Sequence, residues 1–283
     1  MLKTRIITAI VLLAILLPVL YWGNPIAFAV VVTVFFGAAT WEGFRLFNPG
    51  SRRALLISLA WSAAFCYAFF VADPARSLFW FAISALIWLL RFVPALKIGL
   101  PPLDSTGNTM LSLTYAIAIV ACFAAIVALF RHSPLYLLSV MALVWIADIG
   151  AYCAGKAFGK RKLAPMISPG KSWEGAVGGG VVVLLLATLS VVAVLVGGGA
   201  PDGLFSDTFA VRVQQRLGWA ALFAVLVVIT AASVVGDLFE SQLKRRAGVK
   251  DSSKLLPGHG GVLDRIDALI PVLPLAALID TWL

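Results

Sequence analysis

Apolar residues run along this chain in stretches of about 20, the length that crosses a bilayer as an α-helix. Clusters of glycine, proline and charge break the runs. Nine stretches follow from this pattern, at about 5–22, 25–47, 54–72, 76–97, 109–130, 134–155, 173–197, 215–240 and 262–282. Only Gly23-Asn24-Pro25 separates the first two, and counts of eight or ten also fit. The pattern predicts an all-α, polytopic integral membrane protein forming a single transmembrane domain over residues 1–283. No internal repeat is visible, so an inverted-repeat transporter is not suggested.

Composition agrees with the pattern. Of the 283 residues 61% are hydrophobic and 12% are charged, against roughly a quarter charged in a soluble domain; mean hydropathy is +1.01. The N-terminus passes part of a signal-peptide test, with Lys3, Arg5, an apolar run and Ala27-Phe28-Ala29. Apolar character continues past Ala29 without a polar mature start, so a retained first transmembrane helix is expected.

The net charge of +9 does not call for nucleic acid, because the basic residues flank membrane spans. With a cytoplasmic N-terminus, 18 of the 22 Lys and Arg fall on the inside, including Arg52; Arg76, Arg131, Arg212 and Arg216 fall outside. That asymmetry places the N-terminus and residues 241–267 in the cytoplasm. Cys66, Cys122 and Cys153 match neither a disulfide framework nor metal-ligand spacing and read as small packing residues.

Candidate chemistry concentrates after residue 140; residues 1–140 carry no motif of their own, so the expected catalytic spans and loops are 141–283. Residues 241–267 gather Lys244, Arg245, Arg246, Lys250, Lys254 and Arg265 with Asp251, Asp264 and Asp267 around Pro257-Gly258-His259-Gly260-Gly261. Asp237, Ser241 and Lys244 stand at i, i+4 and i+7 and share a helical face. Asp237 lies deep in its span, where an unpaired charge costs about 3 kcal/mol. Asp264 and Asp267, at i and i+3, face one way near a helix N-terminus. Glycines 260 and 261 let the backbone approach a phosphate. His259 is open to acid, base or phosphate-donor roles, or to that of a plain turn residue. In the preceding connection, Ser172 reads as an N-cap with Lys171 set to meet a nucleotide phosphate. Gly175, Gly178, Gly179 and Gly180 would let that helix pack closely. Asp148 is a further intramembrane carboxylate. Gly150-x4-Gly155-Lys156 is no P-loop, since Ala157 replaces the Ser or Thr that holds Mg²⁺.

Residues 241–267 resemble the phosphatidate cytidylyltransferase (CDP-diacylglycerol synthase) family. Its pattern is matched without departure by Ser241, Lys244, Arg245, Lys250, Asp251, Ser253, Pro257, His259, Gly260, Gly261, Asp264, Arg265 and Asp267. The run over 168–175 and that over 236–241 are similar to the family too. The resemblance implies transfer of CMP from CTP to phosphatidate with release of pyrophosphate, at the cytoplasmic face of the inner membrane. It further implies Mg²⁺, a second, monovalent cation such as K⁺, membrane lipids as surroundings and a homodimer. Its metal-binding aspartates correspond to Asp237 and Asp264, and its other essential polar positions to Ser241, Lys244 and Asp267. Lys171, Ser172, Arg245, Lys250, His259, Gly260, Gly261 and Arg265 are expected around the substrates. The rivals are a CTP-dependent lipid kinase, which needs a base for a hydroxyl acceptor, and a transporter, whose charges would spread through the membrane depth.

Overall fold

The structure, a computed structural model, describes residues 2–51, 53–71, 77–197 and 205–283; Arg52 and Arg76, used in the orientation argument, lie outside them. Eleven α-helices order the described chain: α1 (Leu2–Trp22), α2 (Pro25–Phe47), α3 (Arg53–Cys66), α4 (Ser77–Ile87), α5 (Val93–Ile98), α6 (Thr106–His132), α7 (Pro134–Phe158), α8 (Trp173–Val196), α9 (Phe209–Arg246), α10 (Leu263–Ile266) and α11 (Leu269–Asp280). Among the described residues seven helical segments are long and apolar enough to cross a membrane, and Ile10–Trp22 and Leu269–Asp280 are apolar but shorter. The fold is an all-α polytopic membrane protein. A small hairpin, β1 (Lys162–Ala164) antiparallel to β2 (Ser168–Ser172), lies between α7 and α8.

Local chemistry explains the breaks. Asn24 separates α1 from α2 by accepting the backbone N–H groups of Ile26 and Ala27 at 3.0 Å, and Pro25 supplies a first position that needs no donor. The expected span 215–240 starts earlier, at Phe209, and kinks at Gly218, whose φ of +82° suits glycine. The expected span 262–282 divides into α10 and α11. Pro271 has no N–H for the Asp267 carbonyl and its ring displaces that group. The carbonyl instead lies against α9, where a Cβ on Gly236 would stand 2.5 Å from it. Asp264 thus sits on the short helix α10 and Asp267 in the helical turn that links it to α11.

Helix α6 forms the centre, touching α2, α4, α7 and α11; 67% of its apolar window is buried, against 22% for α8. Helices α7 and α8 meet along a glycine seam. A Cβ on Gly179 would stand 2.5 Å from the Ala147 carbonyl, and one on Gly175 2.8 Å from that of Ala151, so only glycine permits this approach. Phe239 fixes the rotation of α9, its ring centroid 4.4 Å from Phe92, 5.5 Å from Tyr115 and 5.7 Å from Trp88. Cys122 is buried as a packing residue should be, whereas Cys153 is exposed; it faces outward from the α7–α8 seam.

Candidate active site

Asp237 stands on α9 two residues before the Phe239 anchor. Its carboxylate pairs with Lys171 and accepts Ser241 Oγ at 3.3 Å. The hairpin makes the first contact possible. Register pairs Lys162 with Ser172, and Ser172 caps α8 by accepting the Gly175 N–H at 3.1 Å. Glu174 then gathers the backbone N–H groups of Lys160 and Arg161, each at 3.1 Å. Arg245 Nε reaches the Ile167 carbonyl at 3.4 Å and ties the hairpin turn to α9. Lys171 is therefore delivered to α9 by a strand end braced on both sides.

Lys244 shares the α9 face with Asp237 and Ser241 but turns away from them. It pairs with Glu240, one turn earlier, and donates to Asp264 Oδ1 at 2.6 Å. Asp264 also accepts Gly261 N–H at 2.7 Å, Ser252 Oγ at 2.8 Å and Ser252 N–H at 2.9 Å, all at Oδ2. A carboxylate with four donors is held in its ionised form. The loop that supplies them is tight. Leu256 N–H bonds to the Gly260 carbonyl at 2.8 Å and His259 N–H to the Leu256 carbonyl at 2.8 Å. Gly258 and Gly260 take φ of +78° and +85°.

Asp148 and Asp267 join this group: each lies within Coulombic reach of Asp237, and Asp267 also of Glu240 and Lys244. Five carboxylates (Asp148, Asp237, Glu240, Asp264, Asp267) thus share two lysines. Such an arrangement attracts cations. Among the described residues no three carboxylate, histidine or cysteine side chains form a ready metal cage.

Other expected site residues stand further out. Lys250 and Arg265 are exposed. Lys250 lines an open groove of about 650 Å³ with Trp41, Arg45 and Lys254. The Nδ1 atom of half-buried His259 has no hydrogen-bond partner among the described residues. Gly261 N–H is committed to Asp264, and a Cβ at Gly261 would collide with Ser252 and Glu42.

Glu42 on α2 was not anticipated. Fully buried, it accepts Ser253 Oγ at 2.5 Å, Leu263 N–H at 2.6 Å, Val262 N–H at 3.1 Å and Ser252 Oγ at 3.2 Å. A carboxylate inside an apolar span is itself a signal, as is Glu240, and both are visible in the sequence.

A bundle of membrane-length helices with an acid-rich cluster at one end defines a polytopic membrane protein with a polar site. The chain belongs to the cytidylyltransferase family, which matches residues 3–282, and it is a nucleotidyltransferase. It is 36% identical to the phosphatidate cytidylyltransferase of Haemophilus influenzae over 97% of this chain and 96% of that protein. For the phosphatidate cytidylyltransferase of Pseudomonas aeruginosa the identity is 37%, over 98% and 96%. That of Bacillus subtilis is 34% identical over 74% of this chain and 70% of its own length. The likeness therefore includes the N-terminal spans that carry no motif.

Proposed function

We propose that this chain catalyses CTP + phosphatidate → CDP-diacylglycerol + pyrophosphate, with the cluster around Asp237 and Asp264 as its active site. The observation that carries the reading is the sharing of five carboxylates by Lys171 and Lys244, beside loop cations. Phosphatidate brings an already ionised oxygen, so the attack on the CTP α-phosphorus needs no strong base. The new P–O bond forms as the bond to the β-phosphate oxygen breaks, and pyrophosphate leaves with that electron pair. The obstacle is repulsion between two anions, and catalysis is positioning and charge neutralisation.

Asp237 and Asp264, supported by Asp267, would hold Mg²⁺, whose chemistry is to draw the phosphates together and offset their charge; the excess of acids also leaves room for a monovalent cation such as K⁺. Lys171 and Lys244 are both paired to aspartates, so each can pass to a phosphate once a cation takes its carboxylate. Ser241 orients a phosphate oxygen, Arg245 meets the pyrophosphate, and Lys250 and Arg265 attract CTP from the surface. Ser172 fixes the strand end behind Lys171, Gly260 and Gly261 shape the loop, and His259 stands beside it with a free Nδ1. The acyl chains stay among the helices. The chain is taken to lie in the inner membrane as a homodimer, with its N-terminus and active site on the cytoplasmic side. The basic residues at that end support this orientation.

Purified protein given cytosine-labelled CTP, phosphatidate and Mg²⁺ is expected to move label into the lipid phase and release pyrophosphate. Unlabelled lipid would overturn the reading. Phosphorylated isoprenoid with CDP as co-product, when an isoprenoid alcohol is supplied, would indicate the lipid-kinase reaction.

A further inference from the structure

Two carboxylates compete for one proton in this loop. Ser252 Oγ lies 2.8 Å from Asp264 Oδ2 and 3.2 Å from Glu42 Oε2, and a hydroxyl can donate only once. At the shorter distance, and with its own N–H also on Asp264, Ser252 serves Asp264 first. Glu42 tolerates this because it keeps three other donors, Ser253 Oγ, Val262 N–H and Leu263 N–H. Those donors come from both ends of the loop, so Glu42 clamps Ser253 to Val262 and Leu263. The two residues that aim Asp264 Oδ2 from the loop, Ser252 and Gly261, each adjoin a clamped residue, Ser253 and Val262. Gly261 has no room for a side chain because Ser252 Oγ and the Glu42 carboxylate fill that space.

From this geometry we infer that Glu42, on α2, is a positioning residue for Asp264, acting through the clamped loop and the Ser252 hydroxyl. A buried charge is costly unless fully hydrogen-bonded. An apolar residue would serve α2 better if packing were its only task. The clamp also ties the motif-free N-terminal half of the chain to the reacting end. When Asp264 exchanges Lys244 for another cationic partner, the backbone that aims it stays held by a carboxylate that never meets substrate. The inference rests on the reading that Asp264 serves the reaction.

Three variants in the full-length protein test it: Glu42→Gln, Glu42→Asp and Ser252→Ala. A glutamine turns an NH₂ group toward donors that need an acceptor. Glu42→Gln is expected to lower kcat at least tenfold with the KM for CTP little changed, and Glu42→Asp to recover part of the loss. Hydrogen exchange of the substrate-free protein gives a readout independent of turnover. Glu42→Gln should speed exchange at the amides of Ser252, Gly261, Val262 and Leu263. Ser252→Ala should also lower kcat but leave Val262 and Leu263 protected. It keeps the test alive if Glu42→Gln fails to fold. Wild-type kcat in Ser252→Ala, or in folded Glu42→Gln, overturns the inference, as does exchange confined to Val262 and Leu263 in Glu42→Gln. Asp264→Asn separates the two readings. If it retains full activity, the site assignment itself fails. If it is inactive while Glu42→Gln and Ser252→Ala match wild type, only the role of Glu42 fails.

Discussion

The bundle carries a polar cluster at each end, and the two are built differently. At the end where α6 finishes and α9 begins, Asp207 accepts from His132 at 3.0 Å, lies 3.7 Å from Arg212 and takes Ser133 Oγ at 3.4 Å. Beside it Tyr136 donates to Asp280 at 2.7 Å, and Arg212 stacks over the Tyr136 ring at 5.7 Å. Each acid there has its own partner, and the cluster is complete as it stands. At the other end, five acids divide two lysines, and both lysines are already engaged. A polar cluster that only joins helices closes its own charge. The acid-rich end, proposed as the active site, leaves room for a counter-charge that a ligand would bring.

Substitutions can break this comparison. The largest effect is expected for Asp264→Asn, a loss of activity of about 10³-fold in protein that still inserts, read from CDP-lipid formation; near-normal turnover would remove Asp264 from the site. Lys171→Met should cost about 10²-fold, with Lys171→Arg restoring part of it, since the braced strand end keeps a cation near Asp237. Equal activity in Lys171→Met would make the pair a structural bridge like those at the other end. Lys250→Ala, at an exposed position, should raise the KM for CTP only a few-fold and mainly at low salt, where surface charge is least screened. A loss that persists in high salt would instead place Lys250 in direct contact with substrate. The smallest effect belongs to Asp207→Asn. This half-exposed partner should cost about 0.2–1 kcal/mol of stability, seen by thermal unfolding in detergent, with kcat unchanged. A fall in kcat there would erase the distinction between the two ends.

The helical runs were legible because lipid demands long apolar stretches, and Ser172 was legible as a cap because capping is local. Asp237, Ser241 and Lys244 do share a face, as spacing requires. What spacing could not show was the partner each would choose. Lys171 meets Asp237 only through the hairpin, whose three- and five-residue strands are too short to stand out between helices. Lys244 meets Asp264 on the short helix α10, and the break between α10 and α11, with Pro271 just beyond it, is hidden in an otherwise continuous hydrophobic stretch. Glu42 escaped for a different reason: its donors lie more than 200 residues away, and nothing near it in the chain resembles a site.

That distance has a consequence for biosynthesis. Chains grow at about 5–20 residues per second, so Glu42 leaves the ribosome roughly 10–45 s before Val262 and Leu263 exist to receive it. During that interval an acid within an apolar helix has none of its three final donors. Assembly of this end of the bundle is therefore finished only when the last loop reaches α2 and brings those donors to Glu42.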